Sequence, residues 1–256
     1  MTIFYFTSTG NCLAVAKKIG AKFPESKLIS IPQVIDSSDL AFHDDIIGLI
    51  FPIYGFGLPE MVRRFMENAK WEAEYAFAIG TYGNMPGAAM RSVQRLASQK
   101  GNHFDYAESL LMVDNYLPGF EIDSEIAKLP GKQVDENLAR IITDIDTREK
   151  QNATASILMR MITAGIGGGR FINVKQAQNF IVNDNCIHCG ICAKICPAGN
   201  ITVTDTVAFA DKCEGCQGCV HLCPQNAIHM RNEKSTVRWR HPDVPLGEIV
   251  LANQRK

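Results

Sequence analysis

Long apolar runs are scarce in this sequence. The most apolar late stretch, residues 157–172, is broken by Arg160 and by Gly165, Gly167, Gly168 and Gly169. It is too interrupted for a membrane span and reads as a linker or docking segment. A surplus of one charge is also missing: 26 Lys and Arg stand against 27 Asp and Glu, so no strongly charged partner is implied. Cysteine is absent between residues 13 and 185, with Cys12 alone and the other eight between 186 and 223. That distribution excludes a chain-wide disulfide framework and points to a reducing, cytoplasmic compartment. The opening Met-Thr-Ile-Phe-Tyr-Phe has neither the basic start nor the cleavable apolar stretch of a signal peptide and reads as a first strand.

What is present is an ordinary globular composition, 46% hydrophobic and 21% charged over 256 residues, enough for one large domain or two smaller ones. Short apolar runs at residues 3–6, 27–31, 46–51, 75–80 and 108–113 predict five strands. Apolar residues recurring at three and four positions predict helices over 11–23, 59–69, 86–99 and 134–148. The segment 32–44 is short, and an abbreviated crossover is expected there. Alternation of strand and helix predicts an α/β fold with a doubly wound, five-stranded parallel sheet, covered on both faces. An insertion at residues 114–132, with Pro118, Gly119, Pro130 and Gly131, interrupts that alternation, and nothing in its pattern indicates a role.

Cys186, Cys189, Cys192 and Cys196-Pro197 follow the spacing C-x2-C-x2-C-x3-C-P, and Cys213, Cys216, Cys219 and Cys223-Pro224 repeat it 27 residues on. So small a unit buries little apolar surface alone, so the pair is expected to fold around what its cysteines bind. Over about fifty residues the segment resembles bacterial two-cluster ferredoxins. The resemblance implies two 4Fe-4S clusters with crossed ligation: Cys186, Cys189, Cys192 and Cys223 for one, Cys213, Cys216, Cys219 and Cys196 for the other. Structural zinc is the plainer alternative. His188 and His221 lie inside the motifs, but eight thiolates need no histidine, and both read as surface or supporting groups. Gly190, Gly215 and Gly218 leave room for backbone amides near cluster sulfurs. Residues 151–256 carry 11 basic against 7 acidic residues; clusters on eight thiolates would cancel most of that excess, so no nucleic-acid partner is expected.

Thr7-Ser8-Thr9-Gly10-Asn11-Cys12 follows the first strand and opens the first helix, where free amides and the helix dipole make an anion site. The loop is similar to the T/S-x-T-G-N-T/S loop with which flavodoxins hold the phosphate of FMN, with Cys12 in place of a hydroxyl residue. Cys12 at a helix start reads either as a somewhat acidified thiol or as an inert filler. In flavodoxin-like proteins the loops after the third and fourth strands flank the flavin. Those loops correspond here to Pro52-Ile53-Tyr54-Gly55 and Thr81-Tyr82-Gly83-Asn84.

Together these segments make the chain resemble the flavodoxin–ferredoxin fusion family. The expected layout is a flavodoxin-like domain at 1–152, a linker at 153–177, a small α+β ferredoxin-like domain at 178–231 and a tail at 232–256. The tail carries Trp239 between Arg238 and Arg240 and either docks on the rest of the chain or is solvated. The resemblance implies FMN, two 4Fe-4S clusters and electron transfer, coupling one- and two-electron chemistry with no catalytic acid or base. No second Gly-rich strand-turn-helix signature for NAD(P)H is found, which favours a protein redox partner such as a ferredoxin, hydrogenase or reductase subunit; a homodimer is open. Two alternatives stand beside this: a flavin-dependent reductase of a quinone or nitro compound, and a metal-stapled interaction module without redox role.

A Cys12→Thr change restores the missing hydroxyl and is expected to tighten FMN binding, read as a lower Kd by flavin fluorescence. An unchanged Kd removes that reading of position 12.

Overall fold

The computed structural model describes residues 1–165 and 174–255. The first part of the chain runs β1 (Thr2–Tyr5), α1 (Asn11–Lys22), β2 (Lys27–Ser30), α2 (Ile31–Val34), β3 (Ala41–His43), β4 (Ile46–Pro52), α3 (Glu60–Asn68), β5 (Lys70–Glu72), β6 (Tyr75–Tyr82), α4 (Ala89–Gln99) and β7 (Tyr106–Leu111). Then follow α5 (Ile122–Ala127), α6 (Leu129–Lys132), α7 (Val134–Asp146) and α8 (Ile157–Gly165). The main sheet is entirely parallel with order β2-β1-β4-β6-β7. Counted among its own strands this is 2-1-3-4-5, the flavodoxin-like doubly wound order.

Both faces of the sheet are covered, which is why its central strands are apolar throughout. Side chains alternate between two cores with the strand period of two. Ile3, Tyr5, Ile50, Phe77 and Ile79 face α1 and α7, through Leu13, Ala16, Ile19, Leu138 and Ile141. Phe4, Phe6, Leu49, Phe51 and Ala78 face α3 and α4, through Met61, Phe65, Val93 and Ala97. Gly48 pairs across the sheet with Phe77. A Cβ on Gly48 would lie 2.2 Å from that ring, so the absent side chain is the space the ring fills.

Several boundaries differ from the sequence pattern for identifiable reasons. The fifth main strand starts at Tyr106, two residues before the predicted 108, because Asp105 Oδ2 accepts the Ala76 amide at 3.0 Å and pins the register. The strand ends at Leu111, short of the predicted 113, although the Met112 amide still donates to Tyr82 O at 2.7 Å. The predicted helix over 86–99 starts only at Ala89; before it, the Ala88 amide donates to Thr163 Oγ1 at 2.9 Å. The short segment 32–44 holds one helical turn and strand β3, which pairs in parallel with β5, a small second sheet that the sequence pattern did not show. Of the apolar stretch 157–172, residues up to 165 form α8 and the rest lie outside the described residues.

The second part contains a 3-10 turn (Val174–Asn179), β8 (Phe180–Val182), α9 (Ile191–Lys194), β9 (Ile201–Val203), β10 (Val207–Phe209), α10 (Gly218–His221), β11 (Ile228–Met230) and α11 (Leu246–Asn253). The two cysteine repeats interlock. β8, before the first motif, pairs antiparallel with β11, after the second. β9, after the first motif, pairs with β10, before the second. Cys192, Cys219, Val220, Ile201 and Ile228 share their core.

The tail docks. Val244, Ile249 and Ala252 are buried in the α1 side of the large core together with Ile195 and Leu222 from the cysteine repeats. Lys17 Nζ pairs with Glu248 at 2.8 Å, Gln33 Nε2 donates to Leu251 O at 2.7 Å, and Arg255 pairs with Asp36. Among the described residues no helix is long and apolar enough to cross a membrane.

Because α11 is part of the core, Ile249→Ala is expected to cost about 2–5 kcal/mol, read from the urea midpoint. A loss below about 0.5 kcal/mol would return the tail to a solvated appendage.

Candidate functional site

The carboxyl ends of β1, β4, β6 and β7 and one turn of the cysteine repeats enclose a cavity of about 310 Å³. Of the residues predicted at the phosphate loop and its two flanking loops, all line it except Gly10. Gly10 precedes α1 with φ 103, a left-handed conformation that glycine adopts without cost. Its open side is occupied by the tail rather than by the cavity, with His241 Cβ 3.0 Å and Val244 Cβ 3.1 Å from where a Cβ would stand. The tail also takes up two loop groups: the His241 amide donates to Thr9 O at 2.9 Å, and Trp239 Nε1 donates to Asn11 Oδ1 at 2.9 Å.

The loop itself is built for a polar ligand. No side chain caps α1, and its first backbone bond is from the Ala14 amide to Gly10 O at 2.8 Å, which leaves the preceding amides available. Thr7 Oγ1 is buried with no partner, whereas Thr9 Oγ1 accepts from Asn115 Nδ2 at 2.7 Å. Ser8 Oγ pairs with Tyr54 OH at 3.2 Å. Burial raises the Tyr54 phenol well above its ordinary range, and the neighbouring Cys216 adds to this, so Tyr54 is held as a neutral hydroxyl.

Cys12 does not behave as an acidified helix-start thiol. It is 2% exposed, and burial pushes it up to about 12 despite a 3.2 Å contact with Thr81 Oγ1. Desolvation outweighs the helix dipole here.

The insertion at 114–132, unreadable in the sequence, forms one wall of the cavity through Asp114, Asn115, Tyr116 and Phe120. Asp114 accepts from Asn84 Nδ2 at 2.9 Å and from the Tyr116 amide at 3.1 Å, while burial raises its carboxyl. Gly83 admits this contact, since a Cβ there would be 2.2 Å from Asp114 Cβ. Below the wall Lys132 buries its ammonium, donating to Met112 O at 2.7 Å, Gly83 O at 2.8 Å and Glu125 Oε2 at 3.2 Å. Glu125 is 1% exposed, so this ion pair ties two strand-end loops together from inside the protein.

The eight thiols of the repeats fall into two groups. Cys186, Cys189, Cys192 and Cys223 line one cleft. Cys196 lies with Cys213, Cys216 and Cys219, close enough for each to disfavour ionisation of Cys216 or Cys219. Among the described residues no three His, Cys, Asp or Glu side chains gather as a single-ion site; a cubane spreads its sulfurs further, each on a different iron. Backbone amides already approach three of these sulfurs, from Asn200 to Cys196 at 3.3 Å, Gly215 to Cys213 at 3.4 Å and Ala227 to Cys223 at 3.2 Å. Burial pushes the Cys192 thiol up to about 11 and raises Cys216 and Cys219 as well; thiolates at these positions require a cationic partner.

His188 and Gly190 in the first motif, and Gly215 and Gln217 in the second, all have positive φ, which coils each motif tightly. His188 is exposed. His221 is buried, and the sequence had no signal for its role: it accepts the Trp239 amide on Nδ1 at 3.1 Å, so Nε2 carries the proton donated to Asn115 O at 2.7 Å. Burial pushes it down to about 4, and the neutral ring ties the insertion to the tail.

Three contacts seat the second motif on the first domain. Gln217 Oε1 accepts the Leu117 amide at 3.0 Å, Glu214 Oε2 accepts the Met61 amide at the start of α3 at 3.1 Å, and the site of a Cβ on Gly218 is 3.4 Å from Ser8 O. As a result Gly215, Cys216 and Gln217 line the same cavity as the phosphate loop.

The family of 4Fe-4S binding domains matches residues 180–202. Polyferredoxin protein MvhB of Methanothermus fervidus is 36% identical over 67 residues, 26% of this chain and 14% of that protein. One component of an ion-translocating oxidoreductase complex of Methanosarcina acetivorans is 52% identical over 48 residues, 18% of each. The chain thus spans less than a fifth of either relative. Similar solved structures include a flavodoxin of Megasphaera elsdenii (18% identity, TM-score 0.34, 43% of this chain and 85% of that one). A flavoprotein in complex with FMN from Lactobacillus acidophilus matches at 14% identity and TM-score 0.33, over 50% of this chain and 97% of that one. An azoreductase from Bacillus anthracis matches at 9% and 0.36, over 57% and 99%.

Replacing Lys132 by Met strands the Glu125 carboxylate with only Lys128 and frees two carbonyls. A loss of about 3–5 kcal/mol in the urea midpoint is expected, partly recovered by Glu125→Gln in the same chain. A loss below about 1 kcal/mol would show that the ion pair does not hold the wall.

Proposed function

We propose, from a chain that joins a flavodoxin-like domain to a 4Fe-4S ferredoxin-like domain, that it is an electron-transfer flavoprotein with FMN in the junction cavity and a cluster on each thiol group. The observation that carries this is the shared lining: Cys216 and the phosphate-type loop face one cavity. The residues present suit both groups. The unpartnered Thr7 hydroxyl and the uncapped amides of α1 suit a phosphate, and two sets of four thiols, all but Cys189 buried or half-buried, suit cubanes rather than one ion.

Bound FMN supplies one- and two-electron exchange, and each 4Fe-4S cluster supplies one-electron exchange. The chain's own contribution is placement. Thr7, Ser8 and the α1 amides hold the phosphate end, the loops at 52–55 and 81–84 flank the ring system, and the half-buried Tyr54, paired with Ser8 Oγ, stands beside Cys216. The Cys196, Cys213, Cys216 and Cys219 set serves as the inner centre. The Cys186, Cys189, Cys192 and Cys223 set is the outer one: Cys189 is exposed, and the adjacent Ile187 is 62% exposed. Electrons therefore enter or leave by the outer set, in contact with a protein redox partner, which accords with similarity to a component of an oxidoreductase complex.

Anaerobic purification followed by FMN, iron and sulfide analysis, with reduction monitored by EPR, is expected to yield flavin and two reducible clusters. Cys196→Ser, although in the first sequence motif, is expected to remove the inner cluster and halve the iron. Zinc without sulfide, or a colourless chain, would sink the proposal. Steady-state turnover with NAD(P)H and a panel of quinones and nitro compounds separates a carrier from a small-molecule reductase.

A further inference from the structure

Gln217 carries two unfavourable features that its role in the cysteine motif does not require. Its backbone is left-handed, with φ 56 and ψ 12, a conformation that costs a non-glycine residue stability. Its side chain is 3% exposed. Oε1 accepts the Leu117 amide at 3.0 Å, which settles which end of the amide is oxygen. Nε2, with two protons to donate, is buried with no partner, a costly state for a polar group.

The internal repeat provides a control. Position 190, which corresponds to 217 in the first motif, makes the same left-handed turn with φ 75 and is glycine. No atom lies within 4 Å of where a Cβ on Gly190 would stand, so backbone conformation, not crowding, accounts for the glycine there. The turn can therefore be made without a side chain. Two things distinguish position 217: its Oε1 holds the Leu117 amide, which accounts for the oxygen and not for the amide nitrogen, and it lines the junction cavity, whereas position 190 lies at the outer cleft.

We infer that Gln217 is a ligand-binding residue of the junction cavity, donating its side-chain amide to an acceptor oxygen of bound FMN, so that the ferredoxin-like domain supplies part of the flavin site. This rests on the function proposed above. It has a thermodynamic consequence. Gln217 lies between Cys216 and Cys219, so binding of iron by those thiolates orders the turn that presents the amide. Flavin binding and retention of the inner cluster then reinforce each other reciprocally.

The test uses anaerobically reconstituted full-length protein and FMN titration followed by fluorescence. Gln217→Gly keeps the left-handed turn but removes the Leu117 acceptor together with the donor, so Gln217→Glu, which keeps that acceptor and removes the donor, is measured beside it. Both are expected to weaken FMN binding about tenfold, with iron and sulfide content retained. FMN is also expected to slow chelator-driven iron loss in the wild type and not in Gln217→Gly. Binding by either variant within about twofold of the wild type, with iron intact, overturns the inference while leaving the proposed function standing. Absence of FMN protection in the wild type overturns the coupling. If Gln217→Gly loses iron, Gln217→Glu decides, since it keeps size and offers an acceptor where a donor is needed; unchanged or tighter binding overturns the inference. A wild type that binds no FMN sinks both the inference and the proposed function.

Discussion

The seat of the second cysteine motif on the phosphate-type loop is the constraint on which the rest of this molecule depends. Gly218 lies against Ser8, where a side chain would come within 3.4 Å of the Ser8 carbonyl. Glu214 and Gln217 fasten the two ends of the turn to α3 and to the insertion. If this contact opened, the thiols would still form two sets, but neither would face the cavity. Cys216 lines that cavity because the turn is seated there.

A lobe of about fifty residues cannot anchor itself by its own apolar burial. Here it borrows anchorage. Ile195 and Leu222 enter the large core of the sheet domain, and the tail returns along α1 to cover them. Trp239 and His241 reach the phosphate-type loop, and His221 holds insertion and tail in one hydrogen-bonded chain. The domains are thus joined by packing and neutral hydrogen bonds more than by exposed ion pairs, which contribute little at a surface.

The cavity wall follows the same economy of charge. Behind it the buried Lys132 ammonium is matched by Glu125, which Lys128 also meets from the exposed side. Asp114 accepts from neutral donors, and the Lys132 ammonium acts on it only as a minor influence. An environment of amides, hydroxyls and aromatic faces reorganises little when the charge of a bound group changes, which suits a site proposed for electron exchange.

The sequence alone was enough for features whose physics is local. Strand and helix periodicity made the five-stranded doubly wound sheet legible, and the spacing of Thr7 to Cys12 placed a phosphate-type loop at its first turn. The resemblance to two-cluster ferredoxins, carried by the duplicated spacing, implied crossed thiol sets, and Cys196 lies beside Cys213, Cys216 and Cys219. Tertiary structure decided what depends on residues far apart in the chain. Asn115 meets His221 across 106 positions and Trp239 meets Asn11 across 228, and no periodicity records such pairs. The burial of Cys12, the wall built by the insertion, the docking of the tail and the unpartnered amide of Gln217 belong to this second kind. Each is set by which surfaces exclude water together, a property of the assembled fold rather than of any segment.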